Sequence, residues 1–282
     1  MQNLRRMPGL RLSAQLPLLL GATLLIGACR HETRESLTLA GSTSLQPLAE
    51  RWADAYGHRR PHVGITIQGG GSTAGVRAVL SGAAQIGMAS RELTAQESRA
   101  ASGVVVARDG IALVVHPTNP VSDLTLAQVR SIYAGQVRSW GELGGRNRAI
   151  TTITREEGSG TRGAFESLVM AEQSIAASAL VSDSTGAVRQ MVRSDPAALG
   201  YISIGLVDAG VKALRLSGVA ATEANIDSGH YPLVRPFLFV LPSTPDRRVG
   251  AFMAWVLGPE GRDLARREGM LPPRVEGPHA SR

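Results

Sequence analysis

Apolar positions recur along the chain in two rhythms, and the alternation between them predicts an α/β fold. Short β-rich runs occupy residues 37–40, 64–68, 111–116, 149–154, 199–204 and 237–241. Between them lie stretches whose apolar residues recur at three- and four-residue steps, the period of a helix with one buried face. Examples are Leu45, Leu48, Trp52 and Ala55, then Leu126, Val129 and Tyr133, and later Val249, Phe252, Met253 and Val256. Pro47 falls in the first turn of its helix, where no amide hydrogen bond is lost. Strands alternating with helices predict mostly parallel sheets flanked by helices.

Two runs stand apart because proline flanks them: residues 111–116 before Pro117, and residues 237–241 between Pro236 and Pro242. Each is expected to cross between two lobes. The chain then divides into a lobe of residues 37–113 and 236–271 and a second lobe of residues 114–235. A discontinuous lobe of this kind permits hinge closure over a ligand held in the cleft.

The first 28 residues read as a signal peptide. Arg5, Arg6 and Arg11 precede an apolar run over residues 16–28. That run is shorter than the ~20 residues a spanning helix needs and suits secretion. It ends in Ile26-Gly27-Ala28-Cys29, which resembles a bacterial lipobox, in which the cysteine is acylated and becomes the mature N-terminus. Acylation at Cys29 would supply several chains and a stable membrane anchor. Residues 29–36 read as a tether and 272–282 as a flexible tail. Cys29 is the only cysteine, so disulfides and cysteine-based metal sites are excluded.

Composition removes other classes. With 43% hydrophobic and 19% charged residues, the chain is neither disordered nor a polytopic membrane protein. The net charge of +7 could suit nucleic acid, but three of those arginines sit in the signal segment and the rest are dispersed. The aromatic residues show no stacking pattern, so no nucleic-acid partner is expected. The six histidines lack metal-ligand spacing and lie near no loop serine in sequence. A Gly-x-Ser-x-Gly elbow and a Gly-Lys-Ser/Thr phosphate loop are both missing. No enzymatic activity, metal or cofactor is expected.

Three segments share one plan of apolar strand, Gly/Ser/Thr loop and amphipathic helix. Their loops are Gly41-Ser42-Thr43-Ser44, Gly69-Gly70-Gly71-Ser72-Thr73 and Arg155-Glu156-Glu157-Gly158-Ser159-Gly160-Thr161-Arg162. Such loops gather at the carboxyl edge of a parallel sheet, where ligands bind in open α/β folds. Free amides at a helix start attract anions, glycines allow close approach, and hydroxyls add donors. Arg155 adds a two-pronged cationic donor. One loop alone reads equally well as helix capping and turn chemistry. Three together predict a pocket for a small oxyanion.

At these residues the chain resembles the phosphate-binding proteins of ABC importers, in their short-chain branch. The resemblance also runs through Ile86-Gly87-Met88-Ala89-Ser90-Arg91-Glu92-Leu93, Ser184-Thr185-Gly186-Ala187-Val188 and Gly200-Tyr201-Ile202-Ser203, and covers residues 37–271. It implies a two-lobed periplasmic-binding-protein fold of type II, acting as a monomer that delivers inorganic phosphate to a membrane permease. It implies phosphate contacts from Ser42, Thr43, Ser44 and Ser72 on one lobe and from Arg155, Ser159, Gly160 and Thr161 on the other. Ser90 and Arg91 would line the pocket, and Glu157 would orient Arg155. Long-chain relatives place an aspartate where Ser90 stands, to accept the proton of monohydrogen phosphate. A smaller preference for phosphate over sulfate is therefore expected. A receptor for sulfate, molybdate or tungstate, or a structural lipoprotein whose loops only cap helices, are the alternative readings.

Overall fold

One apolar strand of fourteen residues, Ser102–Val115, organises the molecule. The structure is a computed structural model that describes residues 35–273. The signal peptide, Cys29, the tether up to residue 34 and the tail from residue 274 lie outside the described residues.

The chain opens with β1 (Glu35–Gly41), α1 (Gln46–Arg59), β2 (Val63–Gly69), α2 (Ser72–Leu80), β3 (Ile86–Ala89), α3 (Ala95–Ala100) and β4 (Ser102–Val115). It continues through β5 (Asp123–Leu124), α4 (Leu126–Tyr133), β6 (Thr151–Arg155), α5 (Gly160–Phe165), β7 (Leu180–Ser182), α6 (Thr185–Ser194) and β8 (Ala198–Ser203). Then follow β9 (Lys212–Ala213), β10 (Arg215–Leu216), α7 (Glu223–Asp227), β11 (Val234–Leu241), α8 (Arg247–Leu257) and α9 (Pro259–Arg267).

Nine of these strands form one sheet, ordered β2-β1-β3-β11-β4-β8-β6-β7 with β9 also on β4. β1 pairs in parallel with β2 and β3, and β6 pairs in parallel with β7 and β8. The middle is antiparallel: β11 runs against β3 and β4, and β4 runs against β8. Residues 102–110 of β4 pair with β11, and residues 111–115 pair with β8.

The buried side chains follow this division. Leu39, Trp52, Ile86, Phe239 and Phe252 belong to one core, and Leu113, Tyr133, Trp140, Phe165 and Tyr201 to another. α1 shows how sequence sets the packing. Leu48, Ala49, Trp52 and Tyr56 share its buried face, and the Trp52 ring meets Phe239 edge-on at 5.6 Å. Trp52 Nε1 donates to the Gly261 carbonyl at 2.9 Å, so burial leaves no polar atom unpaired. Truncating Trp52 to alanine would cost about 3–5 kcal/mol.

Several boundaries differ from the sequence reading. The first half of β4 goes unread because Arg108, Asp109 and Gly110 interrupt its apolar run, yet Asp109 is fully buried. Pro236 lies inside β11, opposite Arg108, beyond the stretch 238–240 where β3 reaches it. Ser36, read as tether, already pairs with Gly64. Pro272, read as tail, is buried, and Arg262 donates to the Pro273 carbonyl at 3.1 Å. Among the described residues no helix is long and apolar enough to cross a membrane.

Candidate functional site

The predicted loops converge where the carboxyl ends of β1, β3, β6 and β7 meet. After β1, the Ser42 hydroxyl accepts the amides of Ser44 and Leu45 at 3.3 Å each, fixing the turn into α1. The Ser42 amide itself donates to the Met88 carbonyl at 2.8 Å. That amide, one of the expected anion donors, is thus spent on the fold.

The second loop approaches through glycine. Gly71 has φ +88°, a conformation that side chains resist, and a Cβ there would sit 2.9 Å from the Gly158 carbonyl oxygen. Ser72, fully buried at the start of α2, accepts the Ser90 amide at 3.0 Å, and the two hydroxyls lie 3.4 Å apart. The Thr73 amide donates to Gly158 at 3.1 Å, so backbone meets backbone between the second and third loops.

The third loop begins with Arg155, whose side chain is 1% exposed. Its Nε and Nη2 donate to the two carboxylate oxygens of Glu156, both at 2.9 Å. Nη1 donates to Thr185 Oγ1 at 2.8 Å, and Nη2 also reaches Thr43 Oγ1 at 3.2 Å. The carbonyls of Ser182 and Asp183 accept from the same guanidinium at 3.3 and 3.2 Å. Glu156 therefore takes the orienting role expected of Glu157. Both glutamates lie past the end of β6, where the chain turns: the side chain of Glu157 is exposed to solvent, whereas that of Glu156 lies along the Arg155 fork.

Ser159 caps α5 by accepting the Arg162 amide at 3.3 Å. A Cβ on Gly160 would collide with Ser72 Oγ and lie 2.7 Å from Ser90 Oγ, so only glycine allows this approach. Behind the loop, the Tyr201 ring stacks on Phe165 at 4.1 Å. The Tyr201 hydroxyl bonds Thr154 Oγ1 at 2.7 Å and accepts the Arg155 amide at 3.3 Å. Burial pushes this phenol up to about 12, so it stays protonated at neutral pH.

A fourth segment joins these three. β7 leads through the N-cap Ser184 into α6, and Thr185, the first residue of α6, is fully buried. Its hydroxyl lies 2.8 Å from Ser44 Oγ, which lies 2.8 Å from Thr161 Oγ1. Ser184-Thr185-Gly186 before an amphipathic helix was the signal for it, a strand–loop–helix plan behind a strand of three residues. Thr161, Ser44 and Thr185 thus share two hydrogen bonds among three hydroxyl protons, which always leaves one proton to donate elsewhere.

Arg91 is tied into an ion pair. Its Nη1 and Nη2 donate to the Glu97 carboxylate at 2.7 and 2.9 Å, and Nη2 also donates to Thr73 Oγ1 at 3.2 Å. It lies at the rim, against Gly163, while Ser42, Ser44, Ser72, Ser90, Ser159 and Thr161 are all buried. The side chains of Asp183 and Glu157 are exposed, and neither enters the cluster.

An arrangement of buried hydroxyls and helix-start amides about one guanidinium can hold a compact anion without doing chemistry on it. Comparison with known proteins points the same way. Residues 29–260 match the PBP superfamily domain. The phosphate-binding protein PstS of Bacillus subtilis is 33% identical over 202 residues, 70% of this chain and 67% of that protein. PstS of Pseudomonas aeruginosa is 30% identical over 268 residues, covering 84% and 83%. A solved structure with bound phosphate from Clostridium perfringens, assigned to the substrate-binding proteins of phosphate ABC transporters, is similar at a TM-score of 0.83. That protein is 38% identical, and the match covers 85% of this chain and all of that one.

Proposed function

The chain belongs to the PBP superfamily, and from that premise we propose that it captures inorganic phosphate between its lobes and delivers it to the permease of an ABC importer. One observation carries the reading: hydroxyls from the segments after β1, β6 and β7 meet around buried Arg155, and Ser72 and Ser90 close on the same cluster beside Gly160.

Arg155 supplies the positive charge, with Glu156 holding its fork in plane. The Thr161–Ser44–Thr185 chain gives a hydroxyl proton, and the amides opening α5 give further donors. Each hydrogen bond to a charged group contributes about 1.5–3 kcal/mol. Half a dozen reach the ~8 kcal/mol of a micromolar complex even after association entropy is charged. Ser72 and Ser90 provide oxygen lone pairs for the proton of monohydrogen phosphate. A hydroxyl can also rotate to donate to sulfate, so this acceptor rejects sulfate less than a carboxylate would. The site is complete in one chain, and the protein acts as a monomer.

Capture happens outside the cytoplasmic membrane, where Cys29 carries the acyl anchor. Mass spectrometry of the mature protein should find an acylated Cys29 at its N-terminus; an unmodified terminus elsewhere would remove the anchor. The capture reading itself is tested by titrating desalted protein with phosphate, sulfate, molybdate and tungstate. Phosphate should bind tightest. Failure of all four would favour a structural lipoprotein, and release of phosphate from an ester would favour an enzyme.

A further inference from the structure

Where β4 and β11 carry the chain between the two cores, an ion pair lies buried. Asp109 on β4 and Arg235 on β11 face each other in register. Arg235 donates to Asp109 Oδ2 from Nε at 2.9 Å and from Nη2 at 2.7 Å. Both residues are sealed from solvent, Asp109 at 0% and Arg235 at 2% exposure.

Stability is a weak reason for burying such a pair. Taking two charges out of water costs several kcal/mol per ion, and apolar replacements of the same volume are often neutral or stabilising. Burial raises the Asp109 carboxyl and lowers the Arg235 guanidinium, each against the pull of its partner.

Its contacts suggest another role. The Arg235 Nη1 donates to the Ser90 carbonyl at 3.3 Å. Ser90 is the residue whose amide bonds Ser72 and whose hydroxyl faces Ser72 in the anion cluster. At the other end, Ser203, the last residue of β8, donates to Asp109 Oδ1 at 2.8 Å. Two residues earlier on β8, Tyr201 holds the Arg155 amide. The pair thus stands one residue from the lobe-1 hydroxyls and two steps from the lobe-2 arginine.

We propose that Asp109 and Arg235 are positioning residues of the oxyanion site, fixing the Ser90 backbone so that Ser90 and Ser72 meet the anion at the angle that discriminates phosphate from sulfate. This rests on the capture reading above. An off-axis Ser90 would lose both the amide bond to Ser72 and the acceptor direction of its hydroxyl, so affinity and selectivity should change together.

The test compares wild type with Arg235→Lys, which keeps the charge and loses the fork. The double variant Asp109→Leu with Arg235→Met removes the pair without orphaning a charge and guards against misfolding of the first. Calorimetric titrations with phosphate and with sulfate are run on proteins whose thermal unfolding midpoints are measured alongside. Both variants should bind phosphate about tenfold or more weakly, with a narrowed phosphate-to-sulfate ratio. A lowered midpoint with unchanged affinity and ratio would mean a structural role only and overturn the proposal while leaving capture intact. A wild type that binds neither anion would overturn capture, and this proposal with it.

Discussion

The hydroxyls of Ser44 and Thr161 lie 2.8 Å apart although 117 residues separate them along the chain. Ser44 follows the first strand of one core, and Thr161 opens a helix packed on the other. Their bond, with the adjoining Thr185 contact, ties together the segments that follow β1, β6 and β7.

Thr185 is the first residue to test, because sequence reading gave it no role. Thr185→Val keeps the shape, removes the hydroxyl and leaves Arg155 Nη1 without that acceptor. Phosphate affinity should fall roughly ten- to hundredfold, the loss of one hydrogen bond in a charged site. An unchanged calorimetric Kd would exclude Thr185 from binding.

Arg155→Ala should weaken phosphate at least about tenfold, whereas exposed Arg193→Ala should leave it unaltered. Equal losses from both would point to diffuse electrostatics. The neighbouring glutamates sharpen the comparison. Glu156→Gln offers one oxygen where the carboxylate offers two, which loosens the fork and weakens binding. Glu157→Gln, a change in solvent, should leave the titration as it is.

Ser90→Asp places a carboxylate against Ser72 Oγ in the anion cluster. It should widen the preference for phosphate over sulfate, because sulfate has no proton to offer it. The ratio of the two dissociation constants at matched pH and salt is the measurement. A ratio that stays the same or narrows would show that Ser90 does not face the anion's protonated oxygen.

Glu97 gives a pH dependence of stability. Its hydrogen bonds with Arg91 hold the carboxyl at about 2 against an ordinary 4.5. A depressed acid contributes stability that is fully present above 4.5 and lost as pH falls toward 2. Urea unfolding of the wild type should therefore weaken across that window, and Glu97→Gln should flatten that part of the loss. Parallel curves for the two proteins would remove Glu97 from the account.

The legible parts of this protein were those written in local periodicity. Trp52 and its helix face, the strands around β1, β2 and β6, and the three glycine–hydroxyl loops follow from spacing that neighbouring residues impose on each other. Less visible were β7, whose three residues are too few to show a period, and the first half of β4, where a buried Asp109 breaks the apolar run.

The sequence by itself determined the α/β alternation, the loops rich in amide and hydroxyl donors and the cation at Arg155, because each depends on residues adjacent in the chain. Tertiary structure alone decided which glutamate holds Arg155 and that Arg91 is bound to Glu97 at the rim. It also decided that Thr185 completes the hydroxyl chain and that Asp109 meets Arg235 between the cores. These are choices among competing partners. A guanidinium or hydroxyl takes whichever acceptor the folded backbone brings to about 2.8 Å in the right direction, and for Thr185 with Ser44 and Asp109 with Arg235 the partner lies more than a hundred residues away along the chain.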